Sequence, residues 1–168
     1  MKRLDLKRLV PPGVNAQQEL TWMLVGWIFS AFYSLCFVYM YQWNYWLLFD
    51  DTIKDARVLH ENAVMPDFVT LLGHYLIGFL LVALCMLAIV AYHYLYHRQG
   101  SKSIYTMRRL PDRLELHRRC WTLPVLMALA SLLAAFVLLM IYYAIYMFVT
   151  PDACLTPGQW QKLWSVIL

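Results

Sequence analysis

Three long apolar stretches, separated by polar segments, dominate the pattern of this chain. They run over residues 20–45, 68–96 and 123–149. Each exceeds the roughly 20 residues that a helix needs to cross the apolar core of a bilayer. The first stretch does not resemble a signal peptide, because it is long and aromatic and no small-residue cleavage site follows it. The pattern predicts an all-α integral membrane protein, with three transmembrane helices in one membrane domain over residues 1–168.

A mixed basic and apolar segment precedes the first stretch. Residues 1–10 can form a short interfacial helix against anionic headgroups, and the Pro-Pro-Gly sequence that follows ends it. Asn15 and Gln18 resemble a capping pair, so the first long helix should begin near Ala16.

A second interfacial helix is predicted at the other end of the chain, over residues 157–168. Thr156 and Gln159 resemble a capping box, and apolar residues then recur at helical spacing from Trp160 to Ile167.

The net charge of +4 is unevenly distributed along a chain that is 62% hydrophobic and 14% charged. Residues 98–119 hold seven basic and two acidic residues, a net charge of +5, whereas residues 50–67 hold two and five, a net charge of −3. Basic loops face the cytoplasm. We therefore expect a multi-pass cell-membrane protein with its N-terminus and second loop inside and its C-terminus outside. Because topology accounts for the basic residues, nucleic acid is not an expected partner; the lipid bilayer is.

The basic loop over residues 101–120 carries its own helical pattern. Pro111 cannot continue a helix, so one piece should end near Arg109. A second piece should start at Asp112, where Glu115 completes a capping-box pattern. Pro124 then falls near the start of the third apolar stretch, where a missing N–H costs least. The loop is therefore predicted to form a short bent helical element.

The segment Met107-Arg-Arg-Leu-Pro-Asp-Arg-Leu-Glu-Leu-His-Arg-Arg119 resembles the coupling helix of the type-2 family of ATP-binding-cassette exporter permeases. In that family the helix seats in a groove of the ATPase subunit. The resemblance implies a membrane subunit, or an accessory membrane subunit, of an ATP-driven export complex that contains an ATPase subunit and other membrane subunits. Contact with the ATPase would run through residues 103–119. The positions carried over, or flanking them, are Arg108, Arg109, Leu110, Pro111, Arg113, Glu115, Arg118 and Arg119. Family permeases usually have six spans, so three correspond to a half-permease or an accessory subunit.

Two other classes of function stay open. One is a non-transport scaffold or regulatory protein that binds another membrane protein through its aromatic spans, with a basic loop that only sets topology. The other is a membrane enzyme that uses His74, His93 and His97. No catalytic motif is visible in the sequence, so we expect no enzyme activity and no cofactor.

Two kinds of polar residue are candidates for chemistry within the spans. His74 is the intramembrane polar candidate, because a histidine in hydrocarbon needs a partner. His93 and His97 have a metal-compatible i, i+4 spacing but no third ligand, so we interpret them as interfacial and predict no metal site. Cys154 is the only cysteine expected outside, where a thiol reagent would reach it.

Overall fold

A computed structural model describes residues 15–50, 58–59, 64–99 and 115–167. Within them the fold is all-α, as predicted, and three helices are long and apolar enough to cross a membrane. The elements are α1 (Ala16–Trp46), β1 (Phe49–Asp50), β2 (Val58–Leu59), α2 (Phe68–Leu72), α3 (Ile77–Gln99), α4 (Glu115–Val149), a 3-10 turn (Asp152–Cys154) and α5 (Gln159–Ile167). The antiparallel pairing of the two-residue strands β1 and β2 was not predicted.

Helix α1 begins at Ala16, where the sequence predicted its start. The N–H of Gln17 donates to Asn15 Oδ1 over 3.1 Å, so Asn15 satisfies one of the N–H groups that a helix start leaves open. The helix then continues for 31 residues, longer than the roughly 20 residues that a bilayer core requires.

The second apolar stretch is not one helix, and the prediction of a continuous span over residues 68–96 is wrong. Helix α2 ends after five residues at Gly73, whose φ of +44° is a conformation that side chains with a Cβ rarely adopt. Residues 73–76 form turns, and α3 starts at Ile77. The candidate span is therefore residues 77–95.

Helix α4 begins at Glu115, eight residues before the predicted start of the third span. Pro124 consequently lies inside the helix rather than near its first turn. The second piece of the basic loop is thus continuous with the long helix from Glu115 onward. A proline inside a helix removes one N–H, and its position is tolerated where the released carbonyl finds another donor.

The chain packs as two compact units, and α1 and α4 contribute to both. The first unit contains residues 15–29, 78–99 and 115–135. Its core is built largely of methionine and alanine, including Met23, Met86 and Met127. Gly26 lets α1 and α3 approach closely, since a Cβ at this position would lie 2.8 Å from Cγ2 of Val82.

The second unit contains residues 30–50, 58–59, 64–77 and 136–167. Its core is aromatic: the ring of Phe37 stacks on Tyr142 with centroids 4.6 Å apart and meets Phe68 edge-on. Cys154 is part of this core with 1% of its surface exposed, so the expectation that a reagent would reach it is wrong. Its carbonyl accepts the N–H of Met65 over 2.9 Å, which fixes the 3-10 turn against the segment before α2.

Candidate functional site

Most of the predicted docking residues fall outside the described part of the chain. Residues 100–114 contain Arg108, Arg109, Leu110, Pro111 and Arg113, and nothing in the structure tests their role.

Three further docking residues lie at the start of α4. Glu115 is its first residue, and its side chain lies outside the described set. Arg118 is exposed and Arg119 is half-buried on the same helix. The basic loop therefore leads directly into α4.

His74 lies in the turn between α2 and α3 and is exposed. It stands three residues before the candidate span that starts at Ile77, and its backbone carbonyl accepts the Ile77 N–H over 3.0 Å. The proposed role of its side chain inside a membrane stays a prediction.

The main polar feature of the first unit is a buried carboxylate–imidazole pair. His93 Nε2 lies 2.5 Å from Glu19 Oε1; His93 has none of its surface exposed and Glu19 only 3%. A charge-assisted bond of this length is a strong one. The second carboxylate oxygen, Glu19 Oε2, is also buried and accepts no hydrogen bond from the described residues. Ionisable groups inside apolar helices are costly, and such a pair is a functional candidate by default.

Pro124 explains how the other imidazole nitrogen is satisfied. In a regular helix the N–H of residue 124 would bond the carbonyl of Cys120, four residues earlier, but proline has no N–H. His93 Nδ1 donates to this carbonyl over 3.3 Å. The chain Glu19–His93–Cys120 therefore joins α1, α3 and α4. We call these three groups the Glu19–His93 site. The start of α1, the end of α3 and the start of α4 meet there. We call this the loop end, because residues 100–114 connect α3 to α4.

A second, exposed chain of hydrogen bonds links α3 to α4 in the same unit. The indole N–H of Trp121 donates to the hydroxyl of Tyr94 over 3.0 Å, and this hydroxyl lies 2.6 Å from His117 Nδ1. An indole only donates, so the tyrosine proton is left for the histidine. Helices α3 and α4, which flank the basic loop, are therefore joined by two sets of hydrogen bonds, one at His93 and one at Tyr94.

The contacts of His93 decide whether its imidazole is open to a metal ion. Both nitrogens of His93 are engaged, so neither is available to a metal ion. Among the described residues, no group of three His, Cys, Asp or Glu side chains could hold a metal ion. The side chain of His97 lies outside the described set. An acid and a base that share one buried hydrogen bond are suited to holding a proton and to fixing helices rigidly.

Sequence reasoning missed the partnership of Glu19 and His93. Glu19 lies one residue before the predicted span 20–45, so the apolar pattern does not include it. The signal that could have found it is its isolation: it is the only acidic residue between Asp5 and Asp50. His93 lies 74 residues away, and periodicity does not reveal which distant residue a buried acid contacts.

A separate polar cluster lies in the second unit, around Asp67. Its carboxylate accepts from Lys162 Nζ over 2.7 Å, from Thr156 Oγ1 over 2.6 Å and from Gln159 Nε2 over 3.0 Å. The Lys162, Thr156 and Gln159 bonds, in that order, lower the pKa of Asp67 from 3.8 to about 2. Gln159 Oε1 also accepts the N–H of Phe68, the first residue of α2. This Asp67 cluster fixes α5 to α2.

The predicted capping box at the start of α5 takes a different form. Thr156 and Gln159 do bond each other: the Gln159 amide donates to both the carbonyl and the hydroxyl of Thr156. However, Thr156 directs its hydroxyl proton to Asp67 rather than to its own helix. The helix begins at Gln159, two residues later than predicted, and the pair contacts the start of α2.

Compared with protein-family models, curated proteins and solved structures, the chain matches none.

Proposed function

We propose that the chain is a membrane subunit, or an accessory membrane subunit, of an ATP-driven export complex. It lies in the cell membrane as a multi-pass protein, with its N-terminus and the basic loop in the cytoplasm and its C-terminus outside. Residues 103–119 contact a soluble ATPase subunit, and other membrane subunits complete the translocation path. The chain itself has no catalytic role and carries no cofactor.

The observation that carries this proposal is the Glu19–His93 site at the loop end. A docking loop transmits movement only if the helices that carry it move together. The carboxylate–imidazole–carbonyl chain holds α1 to α3 over 2.5 Å and α3 to α4 over 3.3 Å. Hydrogen bonds in a protein interior of low dielectric constant are stronger than in water, so these two bonds hold the three helices together firmly. The basic loop therefore connects two helices, α3 and α4, that are hydrogen-bonded to each other next to it.

The surface of the long helices supports placement in a membrane. Large apolar side chains remain exposed on all three, among them Phe29, Phe32, Leu84, Leu133 and Phe148. A water-soluble protein rarely exposes such extensive apolar surface, whereas lipid chains solvate it. The excess of basic residues in the second loop supports the cytoplasmic position of the loop end.

The test is co-purification of an ATPase from native membranes. A tagged wild-type chain, extracted in mild detergent, should bring down an ATPase that mass spectrometry identifies. Arg109→Glu with Arg113→Glu should reduce this ATPase at least tenfold, because a hydrogen bond to a charged group contributes about 1.5–3 kcal/mol and a factor of ten needs about 1.4 kcal/mol. The matched control, Lys54→Glu with Arg57→Glu, makes the same charge change in the first loop and should leave the ATPase bound.

Two outcomes would contradict docking through the basic loop. One is equal recovery of the ATPase with the Arg109 and Arg113 variant. The other is a wild-type chain that brings down another membrane protein and no ATPase, which favours the scaffold or regulatory function.

A further inference from the structure

We propose that Glu19 and His93 form a proton-binding site that holds one proton between His93 Nε2 and Glu19 Oε1 and takes up a second at Glu19 Oε2. The inference concerns the first unit alone and does not depend on the export function. Its ligand is the proton, and its consequence is that the hydrogen-bonded link between α1 and α3 requires the shared proton.

Counting hydrogens at His93 fixes the first proton. A backbone carbonyl can only accept, so the contact with Cys120 requires a hydrogen on Nδ1. The other nitrogen lies 2.5 Å from a carboxylate oxygen, and two bare lone pairs at this distance would repel each other. One proton therefore lies between Nε2 and Oε1. The pair has no net charge whichever of the two atoms carries that proton.

The groups that face the imidazole come from all three helices. Helix α1 contributes the Glu19 carboxylate, and α4 contributes the carbonyl of Cys120, whose thiol is buried on the same residue. On its own helix the ring of Tyr92 lies with its centroid 6.3 Å from that of His93. Arg119, next to Cys120 in sequence, is half-buried. Two of these groups are hydrogen-bonded to the imidazole: the Cys120 carbonyl at Nδ1 and the Glu19 carboxylate at Nε2.

Glu19 Oε2 is the place for the second proton. A buried carboxylate oxygen without a donor carries a desolvation cost that protonation removes. When this oxygen binds a proton while the shared proton stays in place, the pair becomes an imidazolium and a carboxylic acid with net charge +1. No bond other than O–H is formed, and the proton comes from the aqueous phase.

Loss of the shared proton separates the two side chains. It leaves an imidazole lone pair and a carboxylate lone pair facing each other, and the two side chains must then separate. Loss of the shared proton thus breaks the side-chain hydrogen bond that joins α1 to α3 at the loop end.

The first test is nitrogen-edited NMR of the full chain in lipid nanodiscs with labelled histidine. His93 is assigned by elimination, with His60, His74, His97 and His117 each replaced by Gln, so the pair stays intact. We expect a far-downfield proton on His93 Nε2 that exchanges slowly with water, together with a second N–H on Nδ1. The downfield resonance should disappear in Glu19→Gln and persist in the control His117→Gln.

The second test detects the proton on Oε2 by infrared spectroscopy with isotope-labelled glutamate. On acidification, a carboxylic-acid band of an apolar environment should grow in the wild type and be missing in Glu19→Gln. A His93 Nε2 without a downfield proton in the wild type overturns the shared proton, and this result needs no variant of the pair. Identical infrared changes in the wild type and Glu19→Gln overturn the second binding position.

Discussion

Buried polar side chains of the long helices differ in whether their own helix offers them a hydrogen-bond partner. The hydroxyl of Ser34 donates to the Ala31 carbonyl of its own helix and therefore accepts the proton of Tyr142, 2.9 Å away. Ser131 in α4 repeats this arrangement: it donates to Met127 and accepts the indole N–H of Trp27. Each serine would keep the hydrogen bond to a carbonyl of its own helix if its partner on the other helix were lost.

Glu19 has no such local alternative. Its carboxylate bonds only His93 among the described residues, so each member of the pair depends on the other. Removing one partner of a buried pair is costly because the second is left desolvated.

This dependence gives a prediction for stability. Glu19→Ala should lower the free energy of unfolding by about 3–5 kcal/mol, because Nε2 of His93 stays buried without its hydrogen-bond partner. Gln18→Ala is the matched control: Gln18 is the exposed neighbour on the same turn, and its loss should change stability by less than about 0.5 kcal/mol. Denaturant titration in mixed micelles, followed by circular dichroism, measures both. Equal midpoints for the two variants would contradict a buried, mutually dependent pair.

At the scale of elements, α5 is held by the Asp67 cluster more than by its own helix signals. Its nine residues are few for a stable isolated helix. Leu163 is buried in the core, and Trp160 meets the ring of Tyr143 edge-on, 5.4 Å between centroids. The ionised Asp67 carboxylate joins these apolar contacts to α2.

The second prediction concerns the pH dependence of this attachment. The folded pKa of Asp67, about 2, lies below its ordinary value of 3.8, so its carboxylate stabilises the folded form fully above pH 3.8. That stabilisation is lost as the pH falls through 3.8 towards 2. Fluorescence of Trp160 and Trp164 should therefore change over this interval in the wild type.

Two variants test whether Asp67 causes this change in fluorescence. Asp67→Asn has no carboxylate to protonate, so its fluorescence should lack the change. Asp152→Asn removes an exposed acid of the same unit and should keep it. A wild-type titration that is flat between pH 4 and 2 would contradict the assignment.

Prediction of the elements from sequence worked where the signal was local. The side chain of Asn15 bonds the first turn directly, so the start of α1 was predictable to the residue. The break at Gly73 was not, because an apolar run containing glycine is compatible with one helix or two. Pro124 was expected near a helix start, where a missing N–H costs least. Its place inside α4 could not be predicted, because the carbonyl that it releases is bonded by His93, a residue of another helix. The local sequence around Gly73 and Pro124 therefore did not determine the helix boundaries.

For the whole molecule, hydropathy was sufficient to predict three long apolar helices and an all-α fold. It was not sufficient to find the Glu19–His93 site, which exists only because three helices bring residues 19, 93 and 120 together. The candidate docking positions Arg118 and Arg119 were identified from a motif, and the fold gives them a common helix.

The third prediction is the orientation of the molecule. Cys154 is buried and cannot report it, but its neighbour Ala153 is exposed. In a cysteine-free background, Ala153→Cys should react with a membrane-impermeant maleimide added to intact cells. Gln18→Cys, exposed at the start of α1, should react only after the membrane is permeabilised. The reverse pattern would place the basic loop outside and remove any cytoplasmic docking role.

The bond between Phe68 and Gln159 also sets an order for biosynthesis. Translation produces Phe68 ninety-one residues before the side chain that accepts its N–H. The residues of the first unit end at Ala135, whereas those of the second unit continue through α5. Since chains emerge from the ribosome N-terminal end first, at about 5–20 residues per second, the first unit can pack while the second is still waiting for its last helix. The nascent protein therefore presents the Glu19–His93 site before it can attach α5 to α2.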